Sequence, residues 1–231
     1  MSTVLLIRHG LTAMTGPVLA GWTPAVDLDD RGREQARTLA ERLAQLPLAA
    51  IVASPLERCQ QTAAALRERR DVEVRTDERI GECRYGDWTG QELKKLAKDP
   101  LWRVVQAHPS AVTFPGGESL REVQCRAVSA VREWNATLGS EATYAIVSHG
   151  DVIKAVVADA LGMHLDLFQR IVVDPCSLSV VRYTGLRPFL TRLNDTGGGV
   201  GDLLPPKRRS RGRRSGGGSR WRGPAPRRRA R

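Results

Sequence analysis

Two histidine–glycine pairs, far apart in the chain, each close an apolar run. Arg8-His9-Gly10 follows Val4-Leu5-Leu6-Ile7, and Ser148-His149-Gly150 follows Tyr144-Ala145-Ile146-Val147. A third apolar run, residues 49–53, leads through Ser54-Pro55 to Arg58. An imidazole with a pKa of about 6.5 is neutral often enough near pH 7 to act as a nucleophile. A guanidinium keeps its charge at any working pH, and its planar fork matches two oxygens of a phosphate group. If the three runs are parallel strands ending on one side of a sheet, two imidazoles and the guanidiniums of Arg8 and Arg58 meet around one tetrahedral anion. Gly10 would let backbone approach that ligand closely. A helix opening at Gly150 would add free backbone N–H groups and the positive end of its dipole.

The elements needed to hold such a site are legible as hydrophobic patterns. Residues 4–7, 49–53 and 144–147 are continuous apolar stretches, the mark of strands buried on both faces. Between them lie helical periodicities. Asp29 or Asp30 caps a helix with Ala36, Leu39, Ala40, Leu43 and Leu46 inward, ended by Pro47. Ser54-Pro55 reads as the N-cap and first residue of a helix carrying Arg58 in its first turn. A short strand is expected at 72–75. The loop 11–27 should lie over the first strand end, with Trp22 packed beneath it. Residues 91–109 read as one or two short helices, the second started by Asp99-Pro100. Ser119 and Glu122 have the spacing of a capping box for a long helix with Leu120, Val123, Ala127, Val131, Trp134 and Leu138 inward. A helix after His149 closes at Gly162, and strands at 178–183 and 189–193 complete the pattern. Strand–helix alternation of this kind predicts an α/β fold, a three-layer α/β/α sandwich around a mainly parallel sheet.

Composition narrows the function classes. The chain has 231 residues and a formal charge of +11, but residues 207–231 hold twelve Lys/Arg and no acid. Residues 1–206 are left with 24 basic and 25 acidic residues. Two regions are therefore expected: a domain over 1–196, and a disordered Gly/Pro/Arg-rich basic tail over 197–231. No apolar run is long enough to cross a membrane, and no secretion signal opens the chain. The four cysteines show no metal-ligand spacing and read as reduced thiols of a cytoplasmic protein.

The ordered set Leu6-Ile7-Arg8-His9-Gly10, Ser54-Pro55-Leu56-Glu57-Arg58 continuing to Gln61-Thr62-Ala63, and Ser148-His149-Gly150 resembles the signature of the histidine phosphatase superfamily, the phosphoglycerate-mutase-like proteins. The resemblance covers roughly residues 3–195 and favours the phosphatase branch. It implies that His9 is the nucleophile of a phosphohistidine mechanism. Arg8, Arg58 and His149 would hold the phosphoryl oxygens, with Thr15 and Gly150 as further phosphate contacts. Glu82, within Ile80-Gly81-Glu82-Cys83-Arg84-Tyr85-Gly86-Asp87-Trp88, would donate the proton to the leaving alcohol; Asp77, Glu78 and Asp87 are the fallback candidates. No metal and no cofactor is implied, and the partner is a small phosphate ester.

Two positions depart from the family pattern. Thr15 stands where many members carry Asn, and Leu11 replaces the polar residue common after the glycine. The alternative within the family is a phosphoglycerate-mutase-type phosphotransferase, which needs a second set of cations for its substrate. Lys94, Lys95 and Lys98 are the candidates for such a set, and they read instead as the solvated side of a helix. The middle segment should form a lid; Trp88, Trp102 and His108 are its candidate contacts, although Trp102 has the spacing of a core residue. His108 and His164 read as structural. The alternative from another class is a polyanion-binding protein, holding nucleic acid or an acidic partner non-specifically through residues 207–231.

Overall fold

In the computed structural model, which describes residues 1–68 and 70–197, six strands form one sheet in the order β3-β2-β4-β1-β5-β6. They are β1 (Ser2–Arg8), β2 (Ile51–Ala53), β3 (Val74–Thr76), β4 (Thr143–Ser148), β5 (Leu178–Tyr183) and β6 (Pro188–Asp195). The first four are parallel; β5 runs antiparallel to β1 and β6 antiparallel to β5. The expected mainly parallel sheet is present, with its last two strands added as a hairpin.

Alternation along β1 divides the core in two. Val4 and Leu6 face one side, packed with α5 (Leu120–Leu138), α6 (Gly150–Ala160) and the segment carrying Tyr85, Trp88 and Phe114. Leu5 and Ile7 face the other, packed with α1 (Asp30–Arg42) and α2 (Glu57–Arg67). These four β1 side chains are at most 1% exposed. Each contributes about 1.5–3 kcal/mol by leaving water, so the strand that delivers Arg8 and His9 is anchored from both faces. The result is the expected α/β/α sandwich.

Local signals mostly act where they were read. Asp29 accepts from Gly32 N to cap α1, Asp99 caps α4 (Pro100–Ala107) after the single turn α3 (Leu93–Leu96), and Ser119 and Glu122 form the capping box of α5. Three of the boundaries that differ are instructive. α1 stops at Arg42, leaving Leu46 37% exposed, because Leu43 closes it with a tight final turn. β3 begins at Val74, two residues late, where pairing with Ile51 first becomes available. The helix expected from Ser54-Pro55 starts only at Glu57, with Leu56 as its N-cap and no side-chain cap. The Ser54 hydroxyl accepts from Leu56 N at 3.4 Å and also meets a partner across the sheet, described below. The tail expected over 197–231 lies, beyond Gly197, outside the described residues.

Register brings the motif residues level. Arg8 stands opposite Ser148 on β4, and Ala53 on β2 stands opposite Val147. The ladder continues one step, with His9 N donating to Ser148 O and Ser54 N to Val147 O, both at 3.0 Å. His9, Ser54 and His149 therefore leave three adjacent parallel strands at one height. This is the carboxyl edge of the sheet, where α/β folds bind ligands.

Candidate active site

Arg58, on the first turn of α2, joins the two histidines. Its Nε donates to His9 Nε2 at 3.2 Å, its Nη2 lies 3.3 Å from His149 Nδ1, and Nη2 also donates to Gly21 O at 2.8 Å. The imidazole centroids are 5.3 Å apart, edge to face. Arg58 is 1% exposed and His149 fully buried. Arg8 donates through Nη1 to Val173 O at 2.7 Å. Arg58 Nη1 and Arg8 Nε are buried without any partner. A buried guanidinium N–H left unpaired is costly, so two cationic donors in one pocket describe a site shaped for an anion.

The tautomer of His9 follows from its partners. Gly10 O can only accept, so Nδ1, 2.7 Å away, carries the proton. Nε2 is then the lone-pair nitrogen, accepting from Arg58. Burial, then Arg58 and Arg8, lower the His9 pKa to about 3. The ring is neutral at physiological pH, and its Nε2 lone pair becomes available to attack once Arg58 turns from it to an incoming phosphate. His149 is likewise held well below its ordinary pKa, by burial first and Arg58 second.

Glu82 follows a single 3-10 turn, Glu78–Ile80. Its Oε2 lies 3.7 Å from His149 Nδ1, with the side chain 13% exposed, and Cys83 N donates to its Oε1 at 3.0 Å. Burial, then the nearby Asp151 carboxylate, raise its pKa to about 7 against the pull of Arg58. That is the environment a carboxyl group needs to hold a proton at neutral pH. The segment is fixed from behind. Arg126 donates to the carbonyls of Arg79, Gly81 and Glu82 at 2.7, 2.8 and 3.0 Å while paired with Glu118, and Trp22 Nε1 donates to Glu82 O at 2.6 Å.

A cavity of about 570 Å3 opens over this cluster, lined among others by Arg8, His9, Thr15, Arg58, Glu82 and Gly150. Arg8, His9, Thr15, Arg58, Glu82 and Gly150 thus line one cavity, with His149 buried against Arg58 behind it, some with altered surroundings. Thr15 Oγ1 is engaged by Thr12, accepting from its N–H at 3.0 Å and meeting its hydroxyl at 3.0 Å. At Gly10 a Cβ would lie 2.6 Å from Gly32 O, so the glycine lets the loop pack on the first turn of α1. The fallback acids are elsewhere engaged or exposed; Asp77 accepts from Arg79 and Trp134, and Asp87 and Glu78 face solvent. Trp88 and Trp102 stack on each other at 6.2 Å in the core. His108 is mostly exposed near Asp166, and His164 caps a short turn.

Sequence reasoning missed Ser54 as a site residue. It is fully buried, and its Oγ lies 2.7 Å from His149 Nε2. With Arg58 donating to Nδ1, the Nε2 proton goes to Ser54, which fixes the ring plane of His149. It also missed Asp151 and Lys154 on α6. Tyr85 Oη donates to Asp151 Oδ2 at 2.9 Å, and Lys154 Nζ reaches Asp151 Oδ1 at 3.3 Å. Helical spacing of Asp151 and Lys154 was the one available signal.

Comparison with known proteins agrees with this geometry. The model of the histidine phosphatase superfamily (branch 1) matches residues 4–196. Phosphoserine phosphatase 1 of Hydrogenobacter thermophilus is 33% identical over 212 residues, covering 85% of this chain and 93% of that one. A glucosyl-3-phosphoglycerate phosphatase of Mycolicibacterium vanbaalenii is 34% identical over 171 residues, covering 71% and 76%. The solved structure of a mycobacterial glucosyl-3-phosphoglycerate phosphatase in complex with VO3 superposes with a TM-score of 0.76 at 27% identity, covering 84% of this chain and 99% of that one. With a match that spans nearly the whole sheet and its motif-bearing strand ends, the chain belongs to the histidine phosphatase superfamily, branch 1.

Proposed function

We propose that the chain hydrolyses a small phosphomonoester through a phosphohistidine on His9, without a metal ion. It is a phosphoric monoester hydrolase. His9 Nε2 attacks phosphorus; the N–P bond forms as the ester P–O bond breaks, and Glu82 gives its proton to the departing alcohol oxygen. The Arg58 N–H groups that face the imidazoles turn to the non-bridging oxygens. Arg8 and the backbone N–H of Gly150 share the charge that builds there, and so does His149 once Arg58 has left its Nδ1 and the ring proton sits on that nitrogen, with the Ser54 hydroxyl donating to Nε2. Thr15 sits at the edge of the same site. Glu82, now a carboxylate, takes a proton from water; the hydroxide equivalent attacks phosphorus, the N–P bond breaks, and orthophosphate leaves. His9 is again neutral and Glu82 again protonated.

The observation that carries this reading is the pair of buried, unpartnered guanidinium donors beside a neutral imidazole and a carboxyl group poised near pH 7. Two fixed cations balance a phosphate dianion, which is the work a metal performs elsewhere. A panel of phosphate esters with EDTA present, comparing wild type with His9→Ala, tests it. Orthophosphate is the expected product, and full activity in His9→Ala would refute the assigned nucleophile. An isomeric phosphate ester as product would instead establish a mutase. A mutase needs further free cations, and Lys94, Lys95 and Lys98 are solvent-exposed.

The catalytic domain is assigned to residues 1–196, and the basic residues 207–231 to polyanion binding, supported by their twelve cations. A chain ending at Gly197 should keep its turnover and lose any retention on nucleic acid. Among the described residues no helix is long and apolar enough to cross a membrane. Cytoplasmic placement is part of the same proposal, in keeping with four free thiols.

A further inference from the structure

The cavity of about 570 Å3 falls in the range of about 300–1,000 Å3 that accommodates an organic molecule of drug size. Its phosphate end accounts for Arg8, His9, Arg58 and Glu82. Around the rest stand Leu11, Met14, Val18, Leu19, Leu93 and Val172. Most come from the loop after His9, which is tied to the middle segment by a Val18–Glu92 bridge, by Leu19 N donating to Gln91 O, and by Leu93 N donating to Pro17 O. They are half-buried, and Val172 at the rim is 58% exposed. Apolar surface of this kind, held open to water inside a site, is stabilised by an apolar occupant.

Charge points the same way. Arg8 and Arg58 already match the two charges of a phosphate dianion. Among the described residues, Lys154 is the third Lys or Arg lining the cavity. Its Nζ is committed to Asp151 at 3.3 Å and Gln169 at 3.1 Å. Asp174, also in the lining, adds negative charge and accepts from Asn194 at 2.8 Å. A carboxylate on the alcohol half of a substrate would be a third negative charge without an unpaired cation to meet it, and burying such a charge is unfavourable.

We propose that the alcohol half of the substrate is uncharged and apolar-bodied: the site takes phosphomonoesters of aliphatic or aromatic alcohols in preference to those of hydroxy acids. This rests on the hydrolase reading above. It separates the chain from relatives named for phosphoserine and glucosyl-3-phosphoglycerate, whose substrates carry a carboxylate.

The test uses two primary alkyl esters matched at the phosphate, 4-phenylbutyl phosphate and 4-phosphooxybutanoate. Wild type should favour the phenyl ester by at least about tenfold in kcat/KM, chiefly through KM. Calorimetric affinities for the His9→Ala protein, which traps the esters without turnover, should show the same order. Val172→Lys, which adds a free cation at the exposed rim, should narrow the preference about fivefold by improving the acid. Equal affinities, or preference for the acid ester, overturn the proposal. Release of orthophosphate from p-nitrophenyl phosphate by wild type reports separately on the hydrolase reading. If that release is absent, the binding ratio still decides the character of the pocket.

Discussion

The two ends of the cavity are built from different material. At the phosphate end His9, Ser54, Arg58 and His149 come from strand ends and a first helical turn, are buried, and contact one another across 49 to 95 residues of sequence. At the alcohol end Leu11, Met14, Val18 and Val172 come from loops and are half-buried or exposed, with Val18 bridged to Glu92. The contrast teaches a division of labour. Orientation demanded by an in-line displacement is supplied by the sheet edge, where register fixes position, while the part that selects the alcohol sits where substitution is tolerated.

That division can be broken or sharpened by substitution. The largest effect is expected at His9: His9→Ala should lower kcat on p-nitrophenyl phosphate by about a thousandfold or more, and abolish an acid-labile phosphoenzyme seen on quenching. A phosphoenzyme persisting in that variant would place the nucleophile elsewhere.

Glu82→Gln should come next, with a loss of about 10²–10⁴ on alkyl esters and a smaller loss on p-nitrophenyl phosphate, whose leaving group needs little protonation. In wild type, kcat/KM for an alkyl ester should rise above about pH 3 as His9 loses its proton and fall above about pH 7 as Glu82 loses its own. The falling limb should disappear in Glu82→Gln. The same group sets a stability effect of known sign. Its folded pKa is raised, so the native state binds more protons than the unfolded state between the two values, and stability declines as pH rises through that window. Glu82→Gln should therefore raise Tm at pH 8 and leave it nearly unchanged at pH 4. A lower Tm at pH 8 would contradict the assigned burial of that carboxyl group.

Smaller effects test the boundary between the two ends. Ser54→Ala removes the partner of His149 Nε2, and a roughly three- to tenfold drop in kcat is expected, with Ser54→Thr restoring part of it. Met14→Ala, at the alcohol end, should change kcat on p-nitrophenyl phosphate by less than about threefold while raising KM for apolar esters. Should Met14→Ala cost as much in kcat as Ser54→Ala, the two ends would not be separate in function.

Much of this was legible in the residues alone, for a physical reason. Burial on both faces makes β1, β2 and β4 continuous apolar runs, and each run ends where a polar motif begins, so Arg8-His9-Gly10 and Ser148-His149-Gly150 mark their own strand ends. The caps at Asp29, Asp99 and Ser119 were legible because their hydrogen bonds close within three residues. Ser54 was misread for the converse reason. Its local pattern offers a helix cap, and the hydroxyl does accept from Leu56 N at 3.4 Å, but its shorter bond, 2.7 Å, is to His149, which arrives from 95 residues away.

By itself, then, the order of residues determined the strands, most helix limits and the identity of the groups able to handle a phosphate, since these depend on periodicity and short-range bonding. Tertiary structure alone decided that Arg58 bridges both imidazoles, that Arg126 clamps the segment bearing Glu82, that Asp151 helps hold that carboxyl group protonated, and that Gly10 serves packing against Gly32. Each of these is a contact between segments distant in the chain, and no local pattern encodes which partner the fold will bring.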